Sequence, residues 1–98
     1  MAFQNKDIHL IHTLLSPDVI LRDWEHEALG VDNVMRIYEN IFKSSFKIAV
    51  NINKLYCLKS LIIGEIEIKI DDNPLIRVVD IIDFTKSGKI ISIKAFKG

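Results

Sequence analysis

The sequence predicts an α+β domain in which a curved antiparallel sheet wraps around helices to make a cone. Three observations carry this reading. In the first half of the 98-residue chain, apolar residues recur at helical spacing in two stretches. In the second half, four successive segments rich in β-branched residues are separated by short turn clusters. Strands joined by short turns pair antiparallel, and a sheet with one apolar face lays that face on the helices. Hydrophobic residues make up 49% of the chain, enough for one core, with a surplus that suits a dimer or a ligand. Residues 1–98 are therefore expected to form a single domain.

The elements follow in order. Residues 6–15 read as a helix with Ile8, Ile11 and Leu15 on one face; Asn5 or Asp7 suits its start, and Pro17 prevents its continuation. A strand over 19–24 puts Val19, Leu21 and Asp23 on one side and Ile20, Arg22 and Trp24 on the other. Residues 25–30 read as a polar connection. The second helix opens at Val31, with the stripe Val31, Val34, Met35, Tyr38, Ile41 and Phe42 opposite a polar face. Asp32 near its start and Lys43 near its end match the helix dipole. Strands over 46–58, 61–70, 75–85 and 89–97 complete the chain, with turns at 71–74 and 86–88. Gly64 and Gly88 read as bulge and turn glycines.

Composition narrows the partners. Lys plus Arg and Asp plus Glu both number 13, and the basic residues are scattered. A nucleic-acid surface concentrates positive charge on one face, so no nucleic-acid partner is expected. Cys57 is the only cysteine, which rules out an intrachain disulfide and reads as a small buried apolar residue. No segment approaches the ~20 apolar residues that span a bilayer, and the N-terminus has no signal-peptide pattern. A cytoplasmic protein without membrane contact or cofactor is expected. His9 and His12 are three apart on the first helix, but a zinc site needs further ligands at suitable geometry. They read as exposed helix histidines, and no metal site is expected.

Two acids break the apolar pattern. On the strand 75–85, Asp80 shares its face with Ile76, Val78, Ile82 and Phe84, whereas Asp83 shares the other face with Arg77. A carboxyl on an apolar face must be paired, hydrogen-bonded or protonated. Asp23 makes the same break beside Val19 and Leu21. Each has a plain structural explanation: Asp23 as the acceptor of a turn following its strand, Asp80 as a buried acid satisfied by its surroundings. Two such acids facing one cavity point instead toward a functional pocket.

The segment Asp18-Val19-Ile20-Leu21-Arg22-Asp23, then Gly30 and Val31-Asp32-Asn33-Val34, resembles the first half of nuclear transport factor 2-like proteins. The ending Val78-Val79-Asp80-Ile81-Ile82-Asp83-Phe84, then Gly88-Lys89-Ile90-Ile91-Ser92-Ile93-Lys94-Ala95-Phe96, resembles their last hairpin. SnoaL-like polyketide cyclases and ketosteroid isomerases share the pattern. The resemblance implies a cystatin-like or nuclear transport factor 2-like roll, in a short form without the first helix. It implies for Asp23 the role of a proton-shuttling base, and for Asp80 that of a protonated acid donating to a developing oxyanion. Ala95 falls at a pocket-lining position. Two features differ: the isomerase's oxyanion tyrosine lies on the absent helix, and Trp24 stands where isomerases have proline. Without that helix, either a partner subunit, a ligand or residues 1–4 would close the mouth of the cone, or the pocket is open.

Ligand contacts are expected from Trp24, His26, Met35, Tyr38, Phe42, Val78, Ile82 and Ala95, with His26 at the pocket mouth. The function expected first is binding of a small apolar or carbonyl-bearing molecule, anchored by Asp23 and Asp80. The alternatives are a cofactor-independent isomerase, cyclase or dehydratase with Asp23 as base and Asp80 as oxyanion stabiliser, and a homodimeric interaction module without catalysis. Val79, Ile81 and Phe96 on the outer sheet face suit a homodimer.

Overall fold

The computed structural model describes residues 5–98; the expectation that residues 1–4 close the cone lies outside them. Asp7 starts the first helix, its carboxylate accepting from the Leu10 N–H at 3.0 Å, and α1 runs over Ile8–Leu14. Leu15 is already extended, so β1 spans Leu15–Arg22 and takes in Pro17. The proline explains how. Its ring disfavours a helical Ser16, and it lies where the ladder is interrupted, between the Leu15–Ile90 and Ile20–Ser92 pairs. A residue without an N–H is tolerated at such a break.

The stretch read as a polar connection contains β2 (Glu27–Leu29), which pairs antiparallel with β1. Three residues are too few for a period to show. Gly30 follows at φ 88°, a left-handed conformation that favours glycine, and turns the chain into α2 (Val31–Ser44). This helix buries Val34, Met35 and Phe42 and carries Asp32 and Lys43 in its first and last turns. Lys6 closes its far end, with Nζ donating to the carbonyls of Phe42 (3.1 Å), Ser45 and Phe46 (3.3 Å). A cation at the C-terminal carbonyls both satisfies orphan acceptors and suits the dipole.

Strands β3 (Ile48–Cys57), β4 (Leu61–Ile70), β5 (Ile76–Phe84) and β6 (Ile90–Lys97) follow. The six strands form one curved sheet in the order β2-β1-β6-β5-β4-β3. All pairings are antiparallel except β1–β6, which is parallel. The sheet is therefore mixed rather than wholly antiparallel: β1 reaches the last strand only after the chain has passed through α2 and four other strands. At the 71–74 turn, Asp71 takes φ 53° and its carboxylate accepts from the Phe46 and Lys47 N–H groups at 2.8 and 2.6 Å. That turn is thereby tied to the start of β3.

The concave face packs on the helices. Val19 and Leu21 of β1, Ile93 of β6 and Ile48 of β3 join Ile11, Leu15, Val34, Met35 and Phe42 in one buried cluster. Each fully buried Val, Leu or Ile contributes roughly 1.5–3 kcal/mol. The outer half of β3 leaves this core: Ile52 and Leu55, on the concave face by register, are 47% and 52% exposed. The cone is thus open on the β3 side. Cys57 lies on that exposed half, correcting the expectation that it is buried.

Candidate functional site

The register brings the two acids onto one line across the concave face. Asp80 pairs with Ala95 on β6 and with Gly64 on β4, and Gly64 pairs with Leu55 on β3. On the other side, Arg22 pairs with Lys94 in the parallel β1–β6 ladder, so Asp23 follows beside Ala95. A row Asp23, Ala95, Asp80, Gly64, Leu55 therefore crosses five strands' width, with the smallest side chains on either side of Asp80.

The electrostatics agree with that placement. Burial, and secondly the charge of Asp23, push the Asp80 carboxyl up to about 6 from its ordinary 3.8. Burial also pushes the Tyr38 hydroxyl on α2 well above its ordinary range, with Asp80 and then Asp23 adding to it. Tyr38 thus stays a neutral phenol near both acids. Its ring stacks on Phe42 with centroids 6.2 Å apart, fixing the helix face that looks down on the acids. A phenol that senses the Asp80 charge thus sits on α2, an element the resemblance did not point to for that role.

Asp23 is held differently. Its Oδ1 accepts from the backbone N–H of Glu25 (2.8 Å) and of His26 (2.6 Å), and its own N–H donates to the His26 carbonyl at 2.9 Å. The His26 imidazole Nδ1 lies 3.1 and 3.2 Å from the two carboxylate oxygens. The acid therefore organises the β1–β2 turn, as the plain structural explanation anticipates, and also holds an imidazole. Both roles coexist in one carboxylate because it has about four lone-pair sites.

The remaining expected ligand residues divide by position. Val78 is buried and Ile82 half-buried, one on each side of Asp80 along the same face of β5, and Ala95 lies directly opposite. Phe42 is buried in the core behind Tyr38. Met35 is buried where α2 meets α1 and lines a cleft of about 490 Å³ with Ile8, His9 and His12. Trp24 is 40% exposed on the bend after β1, outside the row of acids. A second cleft, of about 450 Å³, lies at Lys6 and Phe46–Ala49, also away from the acids. Among the described residues, no group of three or more His, Cys, Asp or Glu side chains is placed to hold a metal ion. Among the described residues, no helix is long and apolar enough to cross a membrane.

Gly64 was not among the expected site residues. In a single strand it looks like a gap in an alternating pattern, and only the register reveals that it borders Asp80.

No protein-family model matches the sequence, and no curated protein does. Solved structures do match. An NTF2-like protein of unknown function from Cytophaga hutchinsonii aligns with TM-score 0.82 at 13% identity, over 99% of this chain and 80% of that one. An LEH-like epoxide hydrolase from M. tuberculosis aligns with TM-score 0.84 at 14% identity, over 99% and 74%. A computationally designed 17-OHP binder aligns with TM-score 0.84 at 13% identity, over 96% and 82%. The chain has the nuclear transport factor 2-like fold.

Proposed function

We propose that this protein binds a small, largely apolar molecule bearing a carbonyl or hydroxyl group on the concave face, with Asp80 as its polar anchor. The observation that carries this is the Asp80 carboxyl, lifted to about 6 by burial on an otherwise apolar strand face. An acid poised there switches from acceptor to donor when a ligand displaces its remaining water, because desolvation favours the neutral form. Tyr38 and Asp23 flank it, and Val78, Ile82 and Ala95 supply the apolar walls. The same fold serves an LEH-like epoxide hydrolase and a computationally designed 17-OHP binder.

A second reading, proton transfer of the isomerase or cyclase type, is favoured by the Asp23–His26 pair. There Asp23, or the imidazole it holds, takes a proton from carbon beside a carbonyl, and the enolate oxygen accepts from Asp80. The outer sheet face is proposed as a homodimer contact. Val79 and Phe96 are paired across β5 and β6 and are 37% and 54% exposed. A monomeric mass at micromolar concentration in sedimentation removes that contact from the proposal.

The test of the binding reading uses 2-naphthol, an apolar fluorescent phenol. Saturable binding is expected, with the ¹³C signal of the Asp80 carboxyl shifting on titration. Asp80→Leu is expected to weaken binding about tenfold, the worth of roughly one hydrogen bond. Binding that leaves the Asp80 signal and the Asp80→Leu affinity unchanged overturns the reading.

A further inference from the structure

In an antiparallel ladder, residues that exchange hydrogen bonds with their partner alternate with residues whose backbone groups face the other way. The phase of β3 is set at both its ends. The Leu58 N–H donates to the Leu61 carbonyl at 2.7 Å, and the Asp71 N–H donates to the Lys47 carbonyl at 2.8 Å. Counting inward from either end along the β3–β4 register, with the bulge between Ile52 and Lys54 allowed for, gives the same alternation. Tyr56 bonds to Ile63, while Ile52, Leu55 and Cys57 turn their N–H and C=O groups away from β4. Among the described residues β3 ends the sheet, so those groups face no further strand.

Sheet edges are normally blunted, because unpaired backbone groups are a template for another chain. The opposite edge is short: β2 has three residues. β3 has ten and contains no proline. Its outer half is also apolar, with Ile52 and Leu55 half-exposed and Tyr56 and Leu58 45% and 65% exposed. Bonding groups and apolar side chains thus lie together on one open edge.

Charge decides what kind of strand fits there. Residues 46–64 include Lys47, Lys54 and Lys59 and no acid. A second copy laid on this edge sets the lysines of one β3 among those of the other, and facing like charges destabilise a strand pair. An acidic segment is complementary. Lys54 pairs with Glu65 on the β4 side only, and its Nζ lies 5.7 Å from the Tyr56 ring centroid. An acid on an added strand reaches the same ammonium from the open side.

We infer that the outer half of β3, residues 52–58, binds an extended acidic segment of another protein as an added strand. The segment lies antiparallel, the more stable pairing. Its apolar residues sit beside Ile52, Leu55 and Cys57 on the concave side, and its acids alternate with them near Lys54. The site uses none of the residues assigned to the concave ligand.

The experiment follows the fluorescence anisotropy of a fluorescein-labelled peptide of about seven residues, alternating valine and glutamate, titrated with the full chain. Saturable binding is expected, and a valine–lysine counterpart is expected to bind about tenfold more weakly. The valines face the outward groups of β3, so N-methylating them removes the peptide's donors and is expected to weaken binding about tenfold. N-methylating the glutamates instead is expected to have little effect. Lys54→Glu is expected to reverse the preference between the two peptides. Leu55→Pro removes an outward N–H and leaves the β4 ladder intact, so it is expected to fold and to bind severalfold more weakly. Absence of saturable binding to the valine–glutamate peptide overturns the inference, as does equal binding of the valine–lysine peptide. Valine-methylated peptide that binds like the unmodified one also overturns it, because binding then lies away from the edge. A dimer in sedimentation that Leu55→Pro dissociates overturns it in favour of a second copy.

Discussion

Asp80 on β5 pairs with Ala95 on β6, and Asp23 directly follows Arg22, which pairs with Lys94, so the two acids fall in one row across the sheet. Their coupling is visible in Asp80, whose carboxyl is raised first by burial and then by the Asp23 charge. Two further consequences of this pair, and one of the helix end at Lys6, can be measured directly.

The ionised Asp80 opposes folding. Its carboxyl rises from 3.8 to about 6 in the folded protein, so the folded state holds the proton more tightly than the unfolded chain. The stabilisation this gives is full below about 3.8 and is lost as pH rises through about 6. A difference of that size corresponds to about 3 kcal/mol at most, reduced to about 1–2 kcal/mol by residual solvent access. Asp80→Asn is expected to gain about that much stability at pH 8 and almost none at pH 4. Urea unfolding at the two pH values checks it; an equal effect at both contradicts the assignment.

Asp23 separates its two duties under mutation. Asp23→Asn keeps an oxygen for the Glu25 and His26 N–H groups and removes the charge. Stability is expected to hold within about 1 kcal/mol, while the Asp80 carboxyl falls below its present value of about 6. Asp23→Ala loses the acceptor as well, and is expected to cost about 2–3 kcal/mol because two backbone donors lose their partner. Carboxyl ¹³C titration of Asp80 and urea unfolding, run on both variants, distinguish the duties. Equal stability of the two proteins would show that the turn does not depend on the carboxylate.

Lys6 joins the start of the described chain to the end of α2 through three carbonyls. Lys6→Met keeps the length and apolar stem and removes the donors. It is expected to destabilise by about 1–2 kcal/mol, since C-terminal helix carbonyls lose both hydrogen bonds and a favourable charge. Hydrogen exchange should quicken at the last turn of α2 before other parts of that helix. Uniform exchange along α2 would argue that the contact is dispensable.

Both helices and five of the six strands were legible from residue spacing. The α2 stripe is seen because its buried residues recur every three to four positions, and Asp80 stands out because four apolar residues share its face. The short β2 was missed because Glu27–Leu29 has no period of its own; its pairing with β1 makes it a strand. The sequence predicts a helix up to residue 15 and a strand from residue 19, yet residues 15–18 enter β1, where Leu15 pairs with Ile90, 75 positions away. Cys57 was assigned to the interior by its residue type, but it lies where β3 has passed beyond the helices.

Local choices are written in residue order alone: which residues turn, which helix face is apolar, and that Asp23 and Asp80 oppose their surroundings. Those follow from periodicity and backbone preference, which act over a few residues. The tertiary structure alone decided that β1 lies parallel to β6, that the two acids and Tyr38 influence one another, and that Gly64 borders Asp80. Register between distant strands sets these relationships, and register is chosen by how the whole apolar face closes on the helices.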